Sequence, residues 1–182
     1  MNIELSEDQR ALVQAIESVC QQFDDEYWLA RDQDGVYPHD FHKALADGGW
    51  LGIAMPEQYG GAGLGMMEAA LMMHTISRTG AGFSGASAVH MNIFGLNPVV
   101  VFGNDEQRAR FLPPLIQGKD KACFGVTEPN SGLDTSKLET RAVLQGEHYQ
   151  VHGRKLWIST AQVANKIWYI EDHEIKEYPG SF

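Results

Sequence analysis

No apolar run in these 182 residues approaches the roughly 20 that a membrane span requires. The first ten, MNIELSEDQR, carry neither the basic segment nor the apolar stretch of a secretory leader. These absences predict a cytoplasmic protein with no membrane span. Basic charge is scarce as well: 14 lysines and arginines against 24 aspartates and glutamates leave a formal net charge of -10. A nucleic-acid backbone or an anionic membrane surface calls for clustered cations, so neither is expected as a partner. The two cysteines, Cys20 and Cys123, stand far apart in unlike contexts and define neither a disulfide framework nor a metal pair. Both are expected as small core residues in a reducing compartment. There is no internal repeat and no low-complexity segment, and the length suits one domain with a full core or two small ones.

What is present begins as helix. Ser6 and Gln9 form a capping box, and Leu12, Val13, Ile16, Val19, Cys20 and Phe23 recur at helical spacing. A second, shorter helix is expected from about Asp40 to Asp47, with Phe41 and Leu45 inward and Gly48-Gly49 as its stop. The glycines of MPEQYGGAGLG predict a loop, after which MMEAALMMHTIS has the composition of a buried helix. SGASAVHMNIFGLNPVVVFG predicts another, broken near Pro98. Asn104 and Gln107 repeat the capping-box spacing and open a helix expected to end before Pro113.

Near Lys121 the period changes. KACFGVTEP is a short apolar run closed by proline. LETRAVLQGEHYQVHGRKLWIS alternates and carries turn signals at Gln145-Gly146 and His152-Gly153. One strand, a polar connection and a three-strand meander are predicted, with KIWYI as a further buried strand. The expected domains are residues 1–120, all helical, and 121–170, a partial β domain whose sheet lacks the strands that would cover its edge. Residues 171–182 form an atypical acidic tail.

Several constellations invite chemistry. GGAGLG lacks the Lys-Ser/Thr pair of a phosphate loop and does not fit the dinucleotide pattern, so it is read as a structural turn or as a ligand-lining loop. His148 and His152 lie on one face of a strand, but two residues do not make a metal site. Glu171, Asp172, His173 and Glu174 are read as a solvated charged end. No serine or cysteine has the context of an activated nucleophile, and Cys123 reads as inert packing. In FGVTEPNSGLDT, Thr127 and Glu128 end an apolar strand and Pro129 stops its ladder. Asn130 to Gly132 then supply a turn whose backbone N–H groups can face an anion or a polar edge; a capped strand end is the alternative. In KLWIS, Trp157 offers an aromatic plane and Ser159 a hydroxyl, with Ile158 on the opposite side of the strand. That suits a flat heterocycle, and a tryptophan buried in a β core is the alternative.

Together TEPNSGLD and GRKLWIS resemble the paired motifs of the acyl-CoA dehydrogenase family, T-E-P-x-x-G-S-D and G-x-K-x-W-I-T/S. MPEQYGGAGLG resembles that family's loop near the substrate entrance, and the likeness runs from about Leu5 to Ile167. The resemblance implies an α+β multidomain fold: an amino-terminal all-helical domain, then an incomplete antiparallel β-barrel-like domain. It implies FAD as cofactor, with Phe124, Val126 and Thr127 at the pyrimidine side of the flavin and Trp157, Ile158 and Ser159 bordering the isoalloxazine. Gly132 lies in the implied cofactor turn. It also implies an acyl-CoA thioester as substrate, an electron-transfer flavoprotein as acceptor, a homo-oligomer when complete, and a place in fatty-acid metabolism. Leu133 stands where the family has a ligand-holding serine, and leucine cannot donate a hydrogen bond. The family's base, a glutamate on a later helical bundle, corresponds to no residue here. No catalytic residue is therefore assigned, and the 182 residues alone are expected not to turn over. The tail is read as the product of truncation, a reading-frame change or an alternative end. Two competing expectations are a non-catalytic binding module derived from the family, and one half of a split enzyme.

Overall fold

The computed structural model describes residues 4–95 and 97–169. The chain divides into two compact units, Met1–Asp120 and Lys121–Phe182.

The first unit is helical. Helix α1 spans Glu7–Cys20, and the capping box at its start is formed as the spacing predicts: the Ser6 hydroxyl accepts from Gln9 N–H and the Gln9 side chain accepts from Ser6 N–H. Leu12, Ile16 and Cys20 make its buried stripe. Helix α2, Asp25–Asp34, was not expected. It has one buried residue, Trp28, so there is no stripe to read, yet Asp24 caps its start and Gly35, at φ 65°, ends it in the left-handed conformation. Helix α3, His39–Asp47, buries Phe41 and Leu45. An aromatic cluster joins α2 to α3, with Phe41 edge-on to Phe23 at 5.3 Å and to Trp28 at 5.0 Å between ring centroids.

The glycine-rich loop is tied back on the chain that precedes it: Ala62 N–H donates to Gly52 C=O, Gly63 N–H to Met55 C=O and Leu64 N–H to Ile53 C=O. Gly61 makes this approach possible, because a β carbon there would sit 2.2 Å from the Met55 carbonyl oxygen. The glycines thus have a structural role. Helix α4, Met66–Ser77, packs against α1 and α5. A buried helix was expected here, and the face of Ala69, Met72, Thr75 and Ile76 is buried, while Met66 and Met67 are exposed. The Glu68 carboxylate accepts from Gly65 N–H and from the Gln9 side chain, fastening α4 to the start of α1.

Helix α5, Gly82–His90, runs into a π-helical turn at Met91–Gly95, and α6 follows at Asn97–Phe102. The break therefore precedes Pro98, which sits in the first turn of α6, where its missing N–H costs nothing. Helix α7, Asp105–Ile116, has its capping box at Asn104 and Gln107 but continues past the expected stop, with Pro113 and Pro114 inside it. Those prolines leave the carbonyls of Ala109 and Arg110 without helical donors. Both residues are exposed to water, while burial of Leu112, Leu115 and Ile116 holds the last turn.

Among its described residues the second unit carries four strands: β1 (Ala122–Gly125), β2 (Arg141–Gln145), β3 (His148–His152) and β4 (Lys166–Tyr169). β2 and β3 form an antiparallel hairpin around Gly146, which has φ 63°. β1 and β4 pair in parallel, so the antiparallel expectation holds for the hairpin and not for this pair. The meander loses its third strand, because Gly153 to Ser159 pass as irregular backbone. β4 exists, but Ile167 is 52% exposed, so it is not the buried strand expected. The rest of KIWYI and the tail with Glu171, Asp172, His173 and Glu174 lie outside the described residues. Cys20 and Cys123 are free and buried, and burial raises both thiols above their ordinary values.

Candidate functional site

The site begins where β1 ends. Val126, Thr127 and Glu128 leave the strand and meet the segment after Gly153, one bond after another. The Lys155 ammonium donates to Val126 C=O at 3.1 Å, Leu156 N–H donates to Thr127 C=O at 2.9 Å, and Lys155 donates again to Glu128 Oε1 at 2.8 Å. Gly153 permits the approach, since a β carbon there would lie 2.2 Å from Thr140 Oγ1 and 2.8 Å from Thr140 Cα.

Glu128 is buried, and its carboxylate is filled with donors. Besides Lys155 it accepts from Glu139 N–H at 2.5 Å, from Thr140 N–H at 3.0 Å and from the Thr140 hydroxyl. Lys155 first, then Thr140 and the two backbone N–H groups, hold it well below the ordinary 4.5, at about 2, against the opposing effect of desolvation. A carboxylate so saturated is a structural anion and not a proton acceptor at neutral pH. Because the folded value is depressed, its contribution to stability is complete above about pH 4.5 and is lost as pH falls towards about 2. Glu128→Gln is therefore expected to flatten the loss of melting temperature between roughly pH 5 and pH 3. Parallel wild-type and variant curves from calorimetry would show that the network does not titrate as described.

The turn beyond Glu128 is closed on itself. Glu128 and Ser131 exchange backbone hydrogen bonds, and the Ser131 hydroxyl donates to Asp134 C=O at 2.8 Å. The Ser131 N–H therefore serves the turn, not the anion-facing role expected for Asn130 to Gly132. Asp134 accepts from Ser136 N–H and its hydroxyl and pairs with Lys137 at 3.0 Å, fixing a short 3-10 turn at Thr135–Lys137. Gly132 is exposed with nothing near its missing side chain, and Leu133 is fully exposed.

Trp157 follows directly on Leu156. It is not in a strand: its φ is 57°, left-handed, and the indole is 88% exposed, so the buried-tryptophan alternative is removed. Thr160 repeats the left-handed conformation at φ 70°. Each such residue costs on the order of 1–2 kcal/mol, which the surrounding bonds must over-determine. Ile158 is half-buried between them and Ser159 is exposed. Asn165 then clasps Lys121, its N–H to the Lys121 carbonyl and its side-chain oxygen from the Lys121 N–H, which sets β4 beside β1. Phe124, Val126 and Thr127 are half-buried at the end of β1.

The structure thus brings Val126 and Thr127 to the Trp157 segment. Lys155 and Thr140 organise this meeting and were missed; a lysine inside an alternating apolar segment was the available signal. His148 and His152 are exposed on the hairpin, opposite Gln145 and Arg141, and no group of three potential metal ligands occurs among the described residues. Nor is any helix among them long and apolar enough to cross a membrane.

A helical domain followed by a small sheet region is the arrangement of the first two domains of acyl-CoA dehydrogenases. The N-terminal domain model of that family matches residues 6–119 and the middle-domain model residues 123–178. The chain belongs to the acyl-CoA dehydrogenase family. It is 32% identical over 92% of its length to a probable acyl-CoA dehydrogenase of Bacillus subtilis, covering 44% of that protein. Against the mitochondrial isovaleryl-CoA dehydrogenase of Bos taurus the identity is 32%, over 97% of this chain and 42% of the relative. The butyryl-CoA dehydrogenase structure from Megasphaera elsdenii superposes with a TM-score of 0.83 at 25% identity, over 95% of this chain and 46% of that one. The chain therefore spans less than half the length of these relatives.

Proposed function

We propose that these residues form the flavin-holding side of an acyl-CoA dehydrogenase. The observation that carries the reading is Trp157, an exposed indole in strained backbone, placed immediately after the residue bonded to Thr127. An aromatic plane open to solvent, flanked in sequence by the Ser159 hydroxyl and in space by the end of β1, fits a planar heterocycle with a polar edge. Trp157, Ile158 and Ser159 would hold the FAD ring system, Phe124, Val126 and Thr127 its polar edge, and Gly132 would let ligand approach the turn. FAD supplies a two-electron acceptor when bound, for the α,β-dehydrogenation of an acyl-CoA thioester. Leu133 would border the thioester through apolar contact alone. The base for the α proton is assigned to no residue here, and Glu128 is unsuited to it. An electron-transfer flavoprotein as acceptor, a homo-oligomeric assembly and closure of the strands into a barrel-like domain complete the proposal. So does a cytoplasmic setting, which the free, buried cysteines fit.

Full exposure of Leu133 favours a second reading, a non-catalytic module that keeps the scaffold and binds a partner. Titration of FAD with the purified chain separates the two. Saturable quenching of flavin fluorescence, weakened about tenfold in Trp157→Ala, is expected for the flavin site. Absence of binding would leave the module.

A further inference from the structure

The buried pair Glu128–Lys155 has no part in the chemistry above, and burial makes it expensive: the two side chains are 3% and 11% exposed. A buried ion pair is poor evidence for stability, because apolar residues of the same size often serve as well, so its geometry is the place to look for a role. The geometry supplies one. Lys155 spans two acceptors on one strand end, Val126 C=O and Glu128 Oε1, while Leu156 N–H takes the carbonyl between them. Three successive residues of one segment are thereby locked to two successive residues of the other, across 27 positions of sequence. Glu128 is itself fixed by Thr140 and Glu139, so the anchor has no slack. Trp157 is the next residue along, with an indole almost fully in solvent and little packing to hold it.

We propose that Glu128 and Lys155 are positioning residues whose ion pair sets Trp157 against the end of β1 and so fixes the plane on which the flavin rests. Neither touches the ring system; both act through Leu156 and Trp157. The inference rests on the flavin reading, and its test is chosen so that the two fail separately.

Glu128→Gln, Lys155→Met and the double variant are compared in the full 182-residue chain by thermal unfolding, FAD titration and 19F NMR of 5-fluorotryptophan, with the Trp157 resonance assigned from Trp157→Phe. Each single variant leaves one buried charge without the opposite charge of this pair and should melt low. The double variant removes both charges and should recover part of the melting temperature, the rest staying lost because one amide oxygen cannot serve every donor that Glu139 and Thr140 present. Positioning predicts that its FAD affinity nonetheless stays down by roughly tenfold, the scale of one lost charge-assisted hydrogen bond. Its Trp157 resonance should also narrow, as an indole released from a fixed backbone gains fast local motion. Affinity and resonance that recover with the melting temperature would overturn the proposal. If the wild type binds no FAD, the flavin reading fails, and the clamp stands or falls on the Trp157 resonance alone.

Discussion

Phe41→Ala is expected to destabilise the helical unit by about 4 kcal/mol, the middle of the range for truncating a buried aromatic ring. Phe41 has no exposed surface, and its ring is the common partner of Phe23 and Trp28, so truncation removes two edge-to-face contacts and opens a cavity at the α2–α3 junction. The neighbours are poorly placed to collapse into it. Trp28 is held on a helix capped at both ends, by Asp24 and Gly35, and Phe23 lies in the short connection before it. Phe83, another phenylalanine of the same unit, is 89% exposed, and Phe83→Ala should stay within about 0.5 kcal/mol. Urea unfolding followed by tryptophan fluorescence measures both. Similar midpoints for the two variants would mean that the aromatic cluster is not the core it is described to be.

That core was only half legible. Phe41 was readable because α3 repeats apolar residues at helical spacing, and α1 because the Ser6–Gln9 box marks its start. Helix α2 was not, because Leu29 faces water and Trp28 alone faces inward; its capping residues were in plain view and carried the whole signal. The prolines of α7 misled for a related reason. Proline forbids a hydrogen bond locally, but burial of Leu112, Leu115 and Ile116 is decided in three dimensions, and it outweighed two lost bonds at an exposed helix end.

The candidate site divides in the same way. Residue types were legible: a threonine and a glutamate closing a strand, an aromatic plane, a hydroxyl two residues on. Their geometry was not. Alternation in GRKLWIS suggested a strand, yet a hydrogen bond from Leu156 and a lysine tied to two acceptors bend it into the left-handed conformation at Trp157. A positive φ at tryptophan is imposed by tertiary bonds and has no local sequence signature. Parallel pairing of β1 with β4 is equally nonlocal, fixed by the clasp between Lys121 and Asn165.

Gly153→Ala is the second large effect, expected at about 3 kcal/mol with FAD affinity falling alongside. The added carbon would meet Thr140 Oγ1 at 2.2 Å, Cβ at 2.6 Å and Cα at 2.8 Å, so rotating the threonine does not clear it. Thr140 cannot retreat cheaply either, because its N–H and hydroxyl both serve the Glu128 carboxylate. Relief must come from moving the Gly153 segment, and that segment carries Lys155 and Trp157. Gly132→Ala is the matched control: nothing lies within 4 Å of its added carbon, so stability should change by no more than about 0.5 kcal/mol. As a residue proposed to lie beside the ligand, Gly132 should register in the FAD titration and not in the melting curve. A Gly153→Ala chain that melts like wild type would place the two segments further apart than the Thr140 contact allows, and the register from Val126 to Leu156 would have to be redrawn.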